Sequence, residues 1–547
     1  MRKILSEFLK TIPKNEINII SYMTLGRIAS KYSEVNIGMA EKMVLRSIAD
    51  AAKKHMGVIE KEFMKKGDVG LVAEQNVRHG RKTLSAKEVF ETLHKIANVS
   101  GAGSQEKKIC LLSKLFANAS PLEAKYLARI VVGQLRLGAG EKTLLDSMAI
   151  AFTGSKKAKK TIEHAYNVCP DIGVIAKTVV KSGLAGVGKI DVLPGRPVQM
   201  MLAQRVEKIT DITKKIRGDI AAEEKYDGER VQAHSQNGKI TLFSRRLENI
   251  TAQFPDVIAA LKKNIRSKTY ILEGEVVPVD NKGNLLPFQI LMARKRKHEI
   301  EKYASKVPVH FYIFDILLAN GSSFLRQQYP KRRKMLEKIT KECPPIFLSR
   351  RTVSKNIDDI ESFFDDVLQR GCEGIVAKSC AADSYYTPGT RGWLWIKWKR
   401  EYQKELADTF DLVIVGAFAG RGKRSGSYGA LLCAVYNPDT EKFETLCKLG
   451  SGFSDEQLAE LPKKFPAIKQ QPSNVSVAKN MTPDIWVAPE QVIEVLGAEI
   501  TKSQLHTAGS GLALRFPRFV RYRHDKSPEQ ATTPKEILKI MKARSYK

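Results

Sequence analysis

The sequence predicts a multidomain chain: an all-α region, a mixed α+β region built on antiparallel sheets, and a small C-terminal β-barrel. Three observations predict it. Residues 1–195 repeat apolar side chains at spacings of three and four, with little strand-like alternation. From about residue 220 to 400, short β-rich runs bounded by Gly, Asn or Asp alternate with helical stretches. From 402 to 547, short strands recur between glycine turns, the pattern of a small barrel.

In the first region, EKMVLRSIADAAKKHMG (41–57) and AKEVFETLHKIANVSG (86–101) read as amphipathic helices, each closing at a glycine. Basic turns such as EQNVRHGRKTLSAKE (74–88) and GSKKAKK (154–160) separate such helices. LPGRPVQM (193–200), with two prolines, reads as a connection between domains. In the second region the strands are RVQAH, KITLFSR, TYILEGEVVPV, PVHFYIFDILL and EGIVAKS; YPKRRKMLEKIT and IDDIESFFDDVLQRG are helical. In the third, DLVIVGAFAG, GALLCAVYN and KFETLCKLG are strands, followed by QVIEVLGAEIT and ALRFPRFVRYR. The last helix opens with Thr533 as N-cap, Pro534 at the first helical position and Glu536 to complete a capping box. Its apolar stripe of Ile537, Ile540 and Met541 suits docking on its own barrel or on another domain equally well. The boundaries expected are therefore 1–195, 196–401 and 402–547.

The balance of 91 Lys+Arg against 59 Asp+Glu leaves +32, which asks for a polyanionic partner, nucleic acid first. Seven scattered cysteines make no CxxC spacing, so neither a zinc module nor a disulfide framework is readable. No apolar run approaches the roughly 18 residues of a membrane span. The start, MRKILSEFLKTIPKNE, is interrupted by charge too early for a secretory signal. The expectation is a cytoplasmic protein.

EEKYDGERVQAH (223–234) sets one lysine, Lys225, among Glu223, Glu224, Asp227 and Glu229. Such neighbours favour the charged ammonium. A nucleophilic lysine must be desolvated or placed beside cations. The motif alone is too short to decide between an ion-paired strand residue and a nucleophile.

The downstream motifs, and their order, decide. SRRLEN (244–249), LEGE (272–275), FYIFD (311–315), EGIVAK (373–378), WIKWK (395–399) and RFPRFVRYRHDK (515–526) come after KYDG. Together they resemble the signature set of covalent nucleotidyltransferases, specifically the replicative ATP-dependent DNA ligases of archaea and eukaryotes. GDVGLVAEQ (67–75), ARIVVGQLRLGAGEKTLL (128–145), LPGRPVQMMLA (193–203), PFQILMARKRK (287–297) and DKSPEQATT (525–533) extend the resemblance over nearly the whole chain.

The resemblance implies a helical DNA-binding domain, an adenylation (nucleotidyltransferase) domain and a C-terminal OB-fold. It implies sealing of 5′-phosphate/3′-hydroxyl nicks in replication, repair and recombination. The route is a lysyl-AMP at Lys225, then a DNA-adenylate, with ATP and Mg²⁺ or Mn²⁺ as cofactors. Glu223 then faces the adenine and Phe314 stacks on it. Arg230 and Arg245 hold the ribose and phosphate end, and Glu275 contacts the ribose or the metal. Glu373 is the leading metal carboxylate. Lys378, Lys397 and Lys399 surround the α-phosphate, and Arg391 holds the nucleotide phosphate. Lys397 and Lys399, at alternate strand positions, share a face. Arg518, Arg523 and Lys526, oriented by Asp525, approach the pyrophosphate when the barrel closes.

The main alternative is an RNA ligase or mRNA-capping-type enzyme, which shares KYDG and most later strands but not the N-terminal region or DKSPEQATT. Nicked double-stranded DNA is the expected partner and a monomer the expected state. A sliding clamp is a partner by family analogy only: QEKKICLL (105–112) puts Lys108 where an aliphatic residue belongs, and no aromatic pair comes after it. ARKRK (293–297) is a second basic cluster expected near DNA or nucleotide.

Overall fold

The computed structural model describes residues 1–78, 84–154, 158–206, 208–295, 306–399, 409–420, 426–497 and 499–545. The chain divides into two compact units: residues 1–40, 82–115 and 129–403 form the first; residues 41–81, 116–128 and 404–547 form the second.

In the first unit, helices Arg2–Thr11, Ile17–Thr24, Glu141–Thr153, Lys159–Val168 and Ile172–Gly188 bury one face each. Leu9, Ile17, Leu144, Met148, Ile162 and Ile175 meet in their core. Asp171 caps the last of them through Gly173 N (3.0 Å) and Val174 N (3.1 Å). The same carboxylate accepts from the Tyr22 hydroxyl at 2.5 Å, so one cap also ties two helices together.

The rest of the first unit is two sheets. Strands β1 (Leu202–Arg205), β2 (Ile220–Lys225), β9 (Arg351–Ser354), β10 (Gly374–Ser379) and β11 (Arg391–Lys399) form one, in the order β1-β11-β10-β2-β9. Strands β3 (Glu229–Gln236), β4 (Lys239–Ser244), β5 (Tyr270–Pro278), β6 (Val309–Ala319) and β7 (Ser322–Ser323) form the other, with β8 (Ile346–Leu348) pairing β6. Neighbours are antiparallel except β1–β11 and β6–β8. Helix Ile357–Gln369 puts Ile360, Phe364 and Val367 onto Ile375 and Ile396 of the first sheet. Helices Pro255–Asn264 and Tyr329–Ile339 cover the second with Val257, Leu261, Leu336 and Ile339. Val198, Met201, Ile271, Leu317, Tyr386 and Trp395 form a further core drawn from both sheets.

In the second unit, helix Glu41–Ala52 and the start of helix Met56–Lys66 stand where the sequence predicts one helix over 41–57, and helix Val69–Asn76 follows. The first stops at Ala52 because Lys53 turns left-handed (φ 54°), and Gly57 falls inside the next helix. In the first unit, helix Ala86–Asn98 likewise ends before its glycine, at an extended Val99. Strands β12 (Thr409–Ala419), β13 (Tyr428–Asn437), β14 (Lys442–Leu449), β15 (Val475–Ser476), β16 (Ile485–Trp486), β17 (Val492–Leu496), β18 (Glu499–Lys502), β19 (Leu512–Arg515) and β20 (Arg518–Tyr522) make this unit sheet-rich. The main path runs β15-β14-β13-β12-β17-β20, with β16 on β12 and β18–β19 as a separate pair. Among the described residues this path does not close on itself.

The last helix, Pro534–Ser545, forms the expected capping contacts: Thr533 N donates to Glu536 at 2.7 Å and Glu536 N to the Thr533 hydroxyl at 3.3 Å. Ile537 is fully buried, and Ile540 and Met541 pack against the same hydrophobic core, so the stripe docks on its own unit. Among the described residues no helix is long and apolar enough to cross a membrane.

Candidate active site

Strand register builds the site. Lys225 ends β2 opposite Gly374 of β10, and Gly374 stands opposite Lys399 of β11. Two lysines on flanking strands are thus brought to either side of one glycine. A Cβ at Gly374 would lie 2.3 Å from the Trp398 carbonyl oxygen, and its φ of 147° also favours glycine. Glu373, the preceding residue, donates its N–H to the Lys225 carbonyl at 2.9 Å. Its carboxylate accepts from the Lys225 ammonium and from Lys399 Nζ, the latter at 2.8 Å. One row further along the strands, Glu223 faces Val376, and Val376 faces Lys397.

These strands line a cavity of about 430 Å³. Among its walls are Glu223, Lys225, Arg230, Arg245, Glu275, Phe314, Glu373, Lys378, Arg391, Lys397 and Lys399. All eleven residues expected there from KYDG through WIKWK are therefore brought together.

The four carboxylates of EEKYDGE have other partners than Lys225. Glu223 is 2% exposed and takes Lys378 Nζ at 2.7 Å, the Tyr329 hydroxyl, and Arg333 at 3.7 Å. Glu224 is turned to Arg350, Arg370 and Tyr226. Asp227 accepts from Phe288 N at 3.2 Å. Glu229 opens β3 opposite Val276 of β5. Gly228 is required by crowding rather than by a left-handed turn: a Cβ there would sit 2.4 Å from the Val276 carbonyl oxygen and 2.9 Å from Glu275 Cγ.

The Lys378 ammonium is buried against Glu223 and the Phe314 carbonyl (3.1 Å). It lies 4.8 Å from the Phe314 ring centroid and 4.5 Å from that of Trp395. Arg230 is also beneath Phe314, at 5.3 Å, and pairs with fully buried Glu273 at 2.8 Å. Glu273, Tyr329 and Trp395 escape sequence reasoning; Glu273 and Trp395, at alternating positions in β-rich runs, and Tyr329, at a helix start, read as ordinary core. Of the ARKRK cluster, Arg294 is buried and bidentate to Asp256 at 2.9 and 2.8 Å, a structural role. Arg296 and Lys297 lie outside the described residues.

The electrostatics separate the two ends of the cavity. Burial lowers the Lys397 ammonium's affinity for its proton, and Lys399, Lys225, Arg391 and Arg245 lower it further. Lys397 has no carboxylate partner among the described residues, so a positive pocket is left for a polyanion. Burial pushes Glu275 up to about 7, against the pull of Lys225 and Arg230; Glu373 and Asp227 add to the rise. Burial also raises Glu373, but Lys225 and Lys399 outweigh it and hold that carboxyl below its usual range.

No group of three His, Cys, Asp or Glu side chains arranged to hold a metal exists among the described residues. Glu275 and Glu373 fit a magnesium-type ion instead, which takes one or two carboxylates and completes its shell with water and substrate phosphate. Half-buried Glu275, repelled by two other carboxylates, is the observation that favours a cation there.

The remaining four residues belong to the second unit. Arg523 donates through Nε and Nη2 to Asp525 (2.9 and 2.7 Å) and through Nη1 to Asp411 (2.8 Å). Lys526 Nζ reaches Asp411 at 2.7 Å. Arg518 is exposed on β20, opposite Leu496 of β17. Asp411 carries no signal of its own in the sequence. In the first unit, Lys108 of QEKKICLL is tethered to the Ile37 carbonyl at 2.8 Å.

A strand-borne lysine on a positive, half-enclosed cavity, with an aromatic at its far end, defines a nucleotidyltransferase-type site. Residues 200–399 match the family model "ATP dependent DNA ligase domain", residues 1–149 "DNA ligase N terminus", and residues 424–526 "ATP dependent DNA ligase C terminal region". The chain is 46% identical to a DNA ligase 1 of Methanosarcina acetivorans, over 97% of this chain and 94% of that one. It is 43% identical to a DNA ligase 2 of Thermofilum pendens, over 99% and 94%. A solved structure named "Pmar-Lig_Pre" shares the fold at 18% identity and a TM-score of 0.53, covering 96% of this chain and 99% of that one. The chain belongs to the ATP-dependent DNA ligase family.

Proposed function

We propose that the chain seals 5′-phosphate/3′-hydroxyl nicks in duplex DNA through an adenylate carried on Lys225. The observation that carries this is the Lys225–Gly374–Lys399 row with Glu373 across it. Lys225 reacts as the free amine, its proton passing to solvent, and Glu373 in hydrogen-bond contact orients its Nζ. Its Nζ attacks the α-phosphorus of ATP; the bond to the bridging oxygen breaks and pyrophosphate leaves. The AMP passes to the 5′-phosphate of the nick, and the 3′-hydroxyl then displaces it. Lys397, Lys399, Arg245 and Arg391 stabilise charge on the phosphates, which matters more in phosphoryl transfer than proton shuttling. Phe314 stacks on the adenine, Glu223 accepts from its amino edge, and Arg230 and Lys378 fix that end from below. Glu275 and Glu373 hold Mg²⁺, which supplies further charge neutralisation.

The same reading makes residues 402–547 an OB-fold, with 1–195 the DNA-binding domain and 196–401 the adenylation domain. It gives Arg518, Arg523 and Lys526, ordered by Asp525, the pyrophosphate. Nicked DNA is the partner of a monomer, and the net charge of +32 supports a phosphate-dominated interface.

Incubation with α-labelled ATP and Mg²⁺, then denaturing electrophoresis and peptide mapping, tests the reading. An acid-labile label on Lys225, discharged by nicked DNA but not by nicked RNA, is expected. Label on another lysine, or none, overturns it.

A further inference from the structure

Glu224 precedes Lys225 on β2 and so projects to the opposite face of the strand. It is 5% exposed. One oxygen accepts from Arg350 Nε at 2.8 Å and lies 3.1 Å from Arg370 Nε; the other accepts from the Tyr226 hydroxyl at 2.5 Å. The residue before the nucleophile and the residue after it are therefore tied to a single buried carboxylate. The backbone is braced at the same point, where Glu224 N donates to the Arg350 carbonyl at 3.0 Å. The Tyr226 ring is stacked on Tyr312, with centroids 4.0 Å apart and planes 13° apart.

Burying a carboxylate is costly even when it is paired, so stability alone is a poor reason to keep one here. Nor do the arginines need it. Their side chains are 40% and 55% exposed, so water would solvate them without Glu224. What the carboxylate does that an apolar residue could not is hold the Tyr226 hydroxyl while its charge is matched by arginines rather than by Lys225. We propose that Glu224, held by Arg350 and Arg370, is a positioning residue that aims Lys225 at the α-phosphorus through Tyr226. This rests on Lys225 being the adenylated residue.

The test separates two reactions of the full chain. Single-turnover self-adenylation needs Lys225 as nucleophile. Sealing of a chemically pre-adenylated nick uses the same cavity without lysine attack. Misplacing a reacting group by about 1 Å can cost on the order of 10²-fold. E224A and Y226F should therefore slow self-adenylation at saturating ATP by roughly 10- to 100-fold. Half-saturating ATP should stay at the wild-type value, and so should the rate on the pre-adenylated nick. E224D, which keeps the charge, should recover part of the loss. Wild-type adenylation rates in both E224A and Y226F would overturn the proposal. So would equal losses in the two reactions, the signature of a merely structural role. Should E224A fail to fold, Y226F alone decides by the same criteria. Failure of wild type to label on Lys225 would instead remove the reading of the site on which the proposal stands.

Discussion

The Lys225 cavity and the Arg523 cluster both set lysines and arginines against carboxylates, but they hold their charges differently. In the cavity, Lys378 and Glu223 are each 2% exposed as side chains, and Arg230 pairs with a Glu273 that is fully buried. In the cluster, Asp525 is 63% exposed and Arg523 is shared between it and Asp411. Charges in the first site are fixed by desolvation and by strand register. In the second, Asp411 holds Arg523 and Lys526 in part-buried pairs, while the Asp525 side stands where water and salt compete for it. On the proposed function, the first arrangement suits binding a nucleotide in one pose. The second suits cations that are proposed to leave their carboxylates for a pyrophosphate.

The largest expected effects separate the two sites by reaction step. Lys225→Ala should abolish self-adenylation, by 10³-fold or more on the order of nucleophile removals elsewhere, while a pre-adenylated nick is still sealed. Arg523→Ala should lose self-adenylation by about 10²-fold, the scale of one missing charge-stabilising donor, with sealing of the pre-adenylated nick retained. Equal loss in both assays for Arg523→Ala would sink the division of labour.

Next comes stability. Glu223→Gln leaves the Lys378 ammonium buried without its countercharge, which should cost about 3–5 kcal/mol in denaturant unfolding. A loss under about 1 kcal/mol would mean that the ring contacts of Lys378 suffice to hold it.

Glu275 supplies the pH dependence. Its carboxyl is raised by burial to about 7, above the roughly 4.5 of an unfolded chain. The stability it contributes is therefore fully present below about pH 4.5 and lost as pH rises through about 7. Without nucleotide or metal, Glu275→Gln should gain on the order of 2 kcal/mol over wild type at pH 8 and nothing at pH 4. Mg²⁺-dependent adenylation by wild type should weaken below about pH 7 as Glu275 takes up its proton. Parallel wild-type and Glu275→Gln pH profiles would refute both statements.

Much of this site is legible in the sequence because its motifs are local. KYDG, EGIVAK and WIKWK each place their side chains by strand alternation, and Lys397 and Lys399 indeed share the cavity face. Pairing across long separations is not legible. Lys225 meets Glu373, 148 residues on, through β2–β10 register. Lys378 likewise meets Glu223 of β2. Arg350, Arg370 and Asp411 stand in stretches with no motif, and only packing gives them a role. In the fold, strand existence is readable from β-rich runs. Helix ends are not: Lys53 and Val99 stop helices that the glycines are expected to close.

The smallest effect is the sharpest check on the contrast between the two sites. Asp525 holds its proton well below the usual carboxylate range, mainly through its hydrogen bonds with Arg523, yet it stands in solvent. Asp411 still grips Arg523 Nη1 and Lys526 when Asp525 is neutralised. Asp525→Asn should thus leave the unfolding midpoint where it is and slow self-adenylation only several-fold, by loosening the orientation of Arg523. Raising salt shortens the Debye length from about 8 Å at 0.15 M to about 3 Å at 1 M, so the difference between variant and wild type should shrink. The Glu223→Gln penalty, being buried, should survive the same salt. If Asp525→Asn destabilised the chain as Glu223→Gln does, or if salt erased both effects alike, the Arg523 cluster would be a structural element. The distinction between a register-fixed pocket and a releasable charge cluster would then fall.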